Sequence, residues 1–484
     1  MEDSALNQHT STVTPGSLRE LTNVAVPLVL SCGSLSIMHV VDRIFLTWWS
    51  TDAVAAALPA GMIQWTIMSI AMGKAMYVNT FVAQYEGANQ RQRVSESVWQ
   101  GVYLALIWGG LLLLGVPFAG TFFHWIGHTP EVQILEAEYF SILCLGSGPA
   151  LLSTVLSCFY TGRSQTMVVM WVNLVSVLIN MLLDYWLIFG VGPIPAMGIR
   201  GAAIATVAAN VVTLLLYLFI ILAKHEARLY GLFNHWQFNR ELFVRLIRYG
   251  FPNGLLYFID IIGFTLFIVL VGRIGKIELA ATTIAFNLNS LAFVPMMGVG
   301  TAVMTLVGKR IGEGRPQLAV RTTWKAFAAS AAYMLLFAVI YIGFPDFLLR
   351  PYEPDVITED FLKVKQSTVI LLRFAALFSF FDALVVVFGS AIRGAGDTRF
   401  CMFFSLLTGW AVMVIPTFLI WMYADADEKL FGSWVACTSY ISIMGIGYLI
   451  RFQAGRWKEM RVIEDHFAEP NAEDSEQPMQ GALT

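Results

Sequence analysis

The sequence predicts an all-α protein that crosses a membrane many times, and three observations carry that expectation. Of 484 residues, 57% are hydrophobic and only 13% charged, about half the charged share of an ordinary soluble domain. The mean hydropathy is +0.67. The apolar residues also fall into twelve stretches, each near the roughly 20 residues that a helix needs to span a bilayer.

The stretches centre on 21–46, 56–83, 97–123, 136–161, 166–190, 199–223, 246–271, 281–308, 324–347, 367–391, 398–423 and 430–452. They divide into an N lobe over residues 18–224 and a C lobe over 242–455, joined by a linker at 225–241. A polar N-terminal arm (1–17) precedes them, and a disordered acidic tail (456–484) is expected to follow. The arm has no basic start and no short apolar core, so no cleaved signal is expected and the first span is retained.

Lysine and arginine set the orientation. The arm, the even-numbered loops and the tail hold 20 of the 30 basic residues, and the odd-numbered loops hold seven. Both termini are therefore expected in the cytoplasm, with the chain in the plasma (inner) membrane. Arg43, Lys74 and Arg373 fall in or beside spans; Arg43, near Trp48 and Trp49, reads as an anchor at the outer interface. A net charge of −3 gives no case for nucleic-acid binding. The five cysteines are scattered without metal-ligand spacing and read as small core residues.

The halves repeat. "FVAQYEGANQRQRVSESVWQG" begins at Phe81 and "LVGKRIGEGRPQLAVRTTWKA" at Leu306. An offset of 225 sets Gly87 on Gly312, Gln92 on Gln317, Trp99 on Trp324 and Pro27 on Pro252. Further on the offset becomes 232, with "TGRSQT" (161–166) on "RGAGDT" (393–398). Each half has six spans, an even number, so the repeat is parallel, about an axis along the membrane normal. Duplication of this kind is typical of secondary transporters.

Four carboxylates interrupt the spans: Asp42, Asp184, Asp260 and Asp382. A charge at mid-span costs roughly 2.5–3.5 kcal/mol on insertion scales and usually faces a cavity or a partner. In "NLVSVLINMLLDYWLIFG" (173–190), Asn180 and Asp184 lie four apart and Asn173 seven before Asn180, on one helix face. Thr206 and Asn210 follow in the sixth span, and His39 stands three residues before Asp42. Carboxylate, amide and hydroxyl oxygens suit a hard cation such as Na⁺, and buried carboxylates can also carry a proton. Interhelical hydrogen bonding is the plainer reading for Asn173 and Asn210. His39 either relays a proton or orients Asp42. Asp260 stands near Tyr257 and Phe258, and Asp382 near Phe378, Phe380 and Phe381. An acid among aromatic rings suits an organic cation; the alternative is a structural ion pair of Asp382 with Arg373 or Lys74. Pro27 and Pro252 can kink their helices and are candidate hinges.

No phosphate loop, His-Glu-x-x-His or serine elbow is present, so no enzyme is expected. Nor is there a soluble domain large enough for ATP, which leaves an ion gradient as the source of energy.

The chain resembles the multidrug and toxic compound extrusion (MATE) family, most closely its NorM-like branch. The resemblance rests on "VAVPLVL", "VVD" at 40–42, "VAQYEGA", "NMLLDYWLIFG", "GIRGAAIAT", "VGKRIGEG" and "AIRGAGDT", in that order. It implies twelve helices in two six-helix lobes around a central cavity. It also implies antiport of Na⁺ or H⁺ against drug-like, often cationic, molecules, with no further cofactor and no obligatory protein partner, the chain acting as a monomer in the lipid bilayer. By position, Asp42, Asn180, Asp184 and Thr206 match the family's N-lobe cation site, and Asp260 and Asp382 the C-lobe acids of the branch. That branch commonly has Glu where this chain has Asp260, and can have Tyr at the position of Phe378. A lipid-linked precursor flippase of the same superfamily would call for a more basic cavity. A membrane-embedded transferase would call for a reactive cluster, and His124 and His128, four apart near the outer end of the third span, are not read as one.

Overall fold

The computed structural model describes residues 14–126, 128–190, 195–223, 226–353 and 358–464. All twelve expected spans are helices, here named in chain order: α1 (Leu18–Trp49), α2 (Thr51–Gly87), α3 (Arg91–Leu113), α4 (Pro130–Gly162), α5 (Thr166–Phe189), α6 (Ile199–Ala223), α7 (Arg240–Gly272), α8 (Lys276–Gly312), α9 (Pro316–Gly343), α10 (Glu359–Ala395), α11 (Thr398–Tyr423) and α12 (Ala426–Gln453). Ser17 caps α1 by accepting from the Glu20 amide, Ser50 caps α2 and Asn239 caps α7. At 37 residues each, α2, α8 and α10 are about 55 Å long. They therefore extend beyond a hydrocarbon core of about 30 Å.

Two spans are interrupted where the sequence forces it. After Leu113, Gly115 and Pro117 break α3, and a short helix (Ala119–Ile126) completes the crossing. In α11 a π-helical stretch (Gly409–Val414) precedes Pro416, whose missing N–H the wider turn accommodates. Pro27 and Pro252 are buried within α1 and α7, which run unbroken through them. The outer surface carries large apolar side chains such as Leu218, Phe219 and Leu222 on α6 and Leu335, Leu336 and Val339 on α9, as a lipid-facing wall requires.

Helices α1–α6 form one six-helix bundle and α7–α12 the other. They meet where α1 packs on α8 and α7 on α2, with α2 crossing α8 between them. These contacts are symmetry mates of one another, as a parallel repeat demands. Small residues let the backbones close up: a Cβ on Gly73 would lie 2.6 Å from Gly254 Cα, and one on Gly298, 225 residues on, 2.6 Å from Val29 N. Asn79 Nδ2 donates to Thr305 Oγ1 across the seam at 2.9 Å.

The start of α1 and the end of α12 lie at one face of the bundle, called here the terminal face. Residues 456–464, which the sequence reading assigns to a disordered tail, are packed there. Trp457, Val462 and Ile463 are buried, because these apolar side chains find a seat between the helix ends. The remainder of that tail and residues 1–13 of the arm lie outside the described residues.

Candidate cation and substrate site

A cavity of about 630 Å³ opens among α1, α2, α4, α5 and α6, in the N lobe. Its volume lies in the range of drug-sized ligand sites. The wall is mostly apolar, with Met38, Met68 and Met72, and its polar groups include His39, Asp42, Arg43, Gln64, Tyr139, Asn173, Thr206 and Asn210. Arg43 thus belongs to the cavity wall rather than to an outer anchor alone, and its charge acts on Asp42.

Oδ1 of Asp42 is buried and accepts no hydrogen bond. Asn180 and Asp184 are 1% and 0% exposed and are not among the residues that line the cavity. Their spacing on α5 turns both inward from the lipid, as four residues on a helix dictate. Both polar atoms of each side chain lack a hydrogen-bond partner in the protein. Native proteins leave few buried polar groups unsatisfied; here Asn180, Asp184 and one oxygen of Asp42 are left so on two helices of the N lobe. The charges of Asp42 and Asp184 act on each other, and both act on Tyr139 of α4. The two acids therefore form one electrostatic unit contributed by two helices, with a phenol beside it. Thr206 lines the cavity and donates to Ala202 O at 3.1 Å, which leaves its oxygen able to accept or coordinate. His39 stands on the wall one turn before Asp42.

Asn173 behaves as an interhelical tie: its Nδ2 donates to Ser31 Oγ of α1 at 2.5 Å. Among the described residues no three His, Cys, Asp or Glu side chains gather as a metal centre. A Na⁺ here would need amide and hydroxyl oxygens beside the two carboxylates, a donor set that fits a hard cation.

Of the C-lobe acids, Asp260 is held differently. Asp260 accepts from Ser405 Oγ at 2.6 Å, and Tyr440 and the charge of Arg393 stand beside it. Tyr257 lies 6.0 Å below the same Arg393 guanidinium. Asp382 is 6% exposed and neighbours Tyr341 and Cys437. It forms no ion pair among the described residues: Arg373 is exposed, and Lys74 lies over Trp108 at 3.8 Å and Phe251 at 4.6 Å. Phe378 is fully buried, stacked on Trp434 at 6.3 Å.

Two groups escaped the sequence reading. Tyr139 gave no signal because a lone tyrosine in an apolar run is ordinary. Glu136, also on α4, is fully buried, and its carboxylate accepts from His128 Nδ1–H at 2.8 Å when that ring nitrogen carries the proton. The partner of His128 thus lies eight residues on, on the next helix.

A bundle of two six-helix repeats with polar groups buried among its helices is an architecture typical of secondary transporters. The MatE family profile matches twice, over residues 27–186 and 252–419, with starts separated by the 225-residue offset of the repeat. The chain belongs to this family, whose members are transporters, not enzymes, and it is a multi-pass membrane protein. It is 26% identical over 454 residues to a probable multidrug resistance protein NorM of Thermotoga maritima, covering 93% of this chain and 95% of that one. It is 27% identical over 407 residues to multidrug resistance protein PmpM of Pseudomonas aeruginosa, covering 82% of each. Among solved structures, an outward-facing multidrug resistance MATE family transporter of the MOP superfamily aligns with a TM-score of 0.82. That alignment has 18% identity and covers 93% of this chain and all of the other. The eukaryotic MATE transporter AtDTX14 aligns with a TM-score of 0.78 at 16% identity, covering 91% and 96%.

Proposed function

We propose that the protein exports drug-like, cationic organic compounds by antiport against Na⁺ or H⁺, with both termini in the cytoplasm of a cell whose plasma membrane it spans. The observation that carries the coupling step is the set of buried, unpartnered groups on Asp42, Asn180 and Asp184. An uncompensated carboxylate in a low-dielectric interior is costly, and an arriving cation or proton removes that cost. Such a site distinguishes loaded from empty states strongly, which a coupling site must do.

Substrate charge is met in the C lobe. Asp260 is partly exposed and accompanied by Tyr257 and Tyr440, an acid-and-ring setting for an organic cation. Asp382 adds a second acid without a cationic partner, next to Phe378 on the same helix. The cycle is alternating access: substrate enters from the cytoplasmic side, the lobes rock, and an external cation binds near Asp42 and Asp184. Bending of α1 at Pro27, with α7 at Pro252 as its counterpart, then releases the substrate. Relatives named for multidrug resistance over nearly the whole chain favour this cargo. Of the basic residues in or beside the spans, Lys74 and Arg373 are placed against rings or lipid and Arg393 is turned to Asp260 and Tyr257, which leaves Arg43 to meet a pyrophosphate, so a lipid-linked precursor fits less well.

The test is movement of a cationic dye in reconstituted vesicles under an imposed Na⁺ gradient and, separately, an imposed pH gradient. One gradient is expected to drive accumulation, and Asp184→Asn to stop it while the protein remains folded in membranes. Dye movement by Asp184→Asn at the wild-type rate would overturn the coupling assignment.

A further inference from the structure

The lobe seam at the terminal face is closed by more than helix packing. After α12, Trp457 stacks on Phe452 at 4.8 Å and donates Nε1–H to the Phe452 carbonyl at 2.8 Å. This fixes the start of the segment 456–464 to the C lobe. The chain then turns across the seam. The Val462 carbonyl accepts two bonds from the Arg245 guanidinium of α7, at 3.1 and 2.9 Å. The Val462 amide donates to Gln84 Oε1 of α2 at 2.9 Å. Gln84 Nε2 donates in turn to the Gly394 carbonyl of α10 at 3.0 Å. Two residues on, Glu464 accepts from the Tyr85 hydroxyl of α2 at 2.7 Å. Val462 and Ile463 are buried beneath these bonds. The segment is thus bonded to α2 of one lobe and to α7 of the other at once, with Gln84 tying the same spot to α10.

The symmetry-related seam has its own clasp from the other terminus. Arg310 of α8 pairs with Glu20 of α1. Glu20 Oε2 accepts from the Gly16 amide at 2.7 Å, and Lys325 of α9 donates to the Gly16 carbonyl at 2.7 Å. Each terminus therefore staples one of the two seams, α1–α8 or α2–α7.

We infer that residues 456–464 form a detachable strap that holds the terminal face shut, and that the strap must leave α2 before the lobes can part there. The geometry leaves no alternative to detachment. Its anchors at Trp457 and Arg245 move with the C lobe and those at Gln84 and Tyr85 with the N lobe, so separation of the lobes breaks one set. The α2 set is the smaller, with one amide donor and one hydroxyl. The α7 and α12 set has the two-pronged guanidinium and the stacked indole. The strap is therefore expected to travel with the C lobe and to set the balance between the two access states.

Spin labels at Arg91→Cys and Arg315→Cys, exposed near the terminal-face ends of the two lobes, report this opening through their distance distribution in purified full-length protein. Truncation after Gly455 is expected to add a longer-distance component and to raise the ratio of open to closed forms by roughly tenfold, as loss of one or two net hydrogen bonds would. The full-length double variant Tyr85→Phe, Glu464→Ala removes the outer α2 bond, together with the pull of the Glu464 charge on Arg93 of α3. It is expected to produce the same component at smaller population, and it serves where truncation impairs folding. A reagent that cross-links Tyr85→Cys to Glu464→Cys is expected to abolish the longer component, reversibly on reduction. Identical distance distributions in the intact, loosened and cross-linked proteins would overturn the strap. The readout is a distance, so its failure is separate from any failure of the transport assignment.

Discussion

The two lobes share a scaffold and differ in what they do with buried acids. In the N lobe, Asp184 and Asn180 have no protein partner and Asp42 has one oxygen free of any, beside an open cavity. In the C lobe, Asp260 is hydrogen-bonded to Ser405, while Asp382 is buried with no hydrogen bond or ion pair among the described residues, so the contrast rests on Asp260. The repeat offsets sharpen the contrast. At 225, Asp42 falls on Phe267 and His39 on Phe264; at 232, Asn180 falls on Val412, Asp184 on Pro416 and Thr206 on Thr438. Of the N-lobe cluster only the threonine persists. Where α5 carries its amide and carboxylate, α11 carries a π-helical stretch and a proline. Duplication preserved the features that let helices cross and pack, such as Gly73 with Gly298 and Pro27 with Pro252, while the polar groups of the two lobes came to occupy different positions. On the proposed function, unequal lobes would give the ion and the cargo distinct places.

Four predictions probe this asymmetry, from the largest effect to the smallest. Asp184→Asn, and separately Asp42→Asn, should reduce gradient-driven dye export to background, measured in vesicles with expression checked by immunoblot; retention of coupling in both would erase the difference between the lobes. Asp260→Asn should lower export by about tenfold through weaker binding of cationic cargo, the loss expected of one charge contact. Neutral substrates should be spared, and a panel of dyes of differing charge distinguishes this from general damage. Ser405→Ala removes one bond to Asp260 while Tyr440 remains, so the same assay should change by only about twofold. Asn173→Ala should leave export intact and reduce stability by about 1 kcal/mol, the usual worth of an interhelical hydrogen bond, read as a modest drop in melting temperature in detergent.

Much of the fold was legible because bilayer physics acts on local composition. Every span is an apolar run, and the repeat gave the two-lobe division. The inward face of α5 was legible because Asn180 and Asp184 share one helix and fixed spacing. What escaped depends on contacts between helices. Tyr139 and Glu136 matter through neighbours on other elements. Ser405 and Arg393 reach Asp260 from α11 and α10, distant in sequence. The pairing of Asp382 with Arg373 or Lys74 looked possible by composition. The structure instead turns Arg373 outward and sets Lys74 against Trp108 and Phe251, where ring faces take the place of a counter-ion. The strap was missed because an acidic, proline-bearing tail hides the short apolar run Val462–Ile463 at its start.

The central claim, that the coupling ion is held by the N lobe, is tested most directly by cation binding to purified protein. Radioactive Na⁺ uptake and proton uptake in weakly buffered solution would be measured on wild type, Asp184→Asn and Asp382→Asn. The wild type is expected to bind one of these ions saturably, with the binding lost in Asp184→Asn and kept in Asp382→Asn. Binding that survives Asp184→Asn and disappears in Asp382→Asn would contradict the claim and move the coupling site to the C lobe.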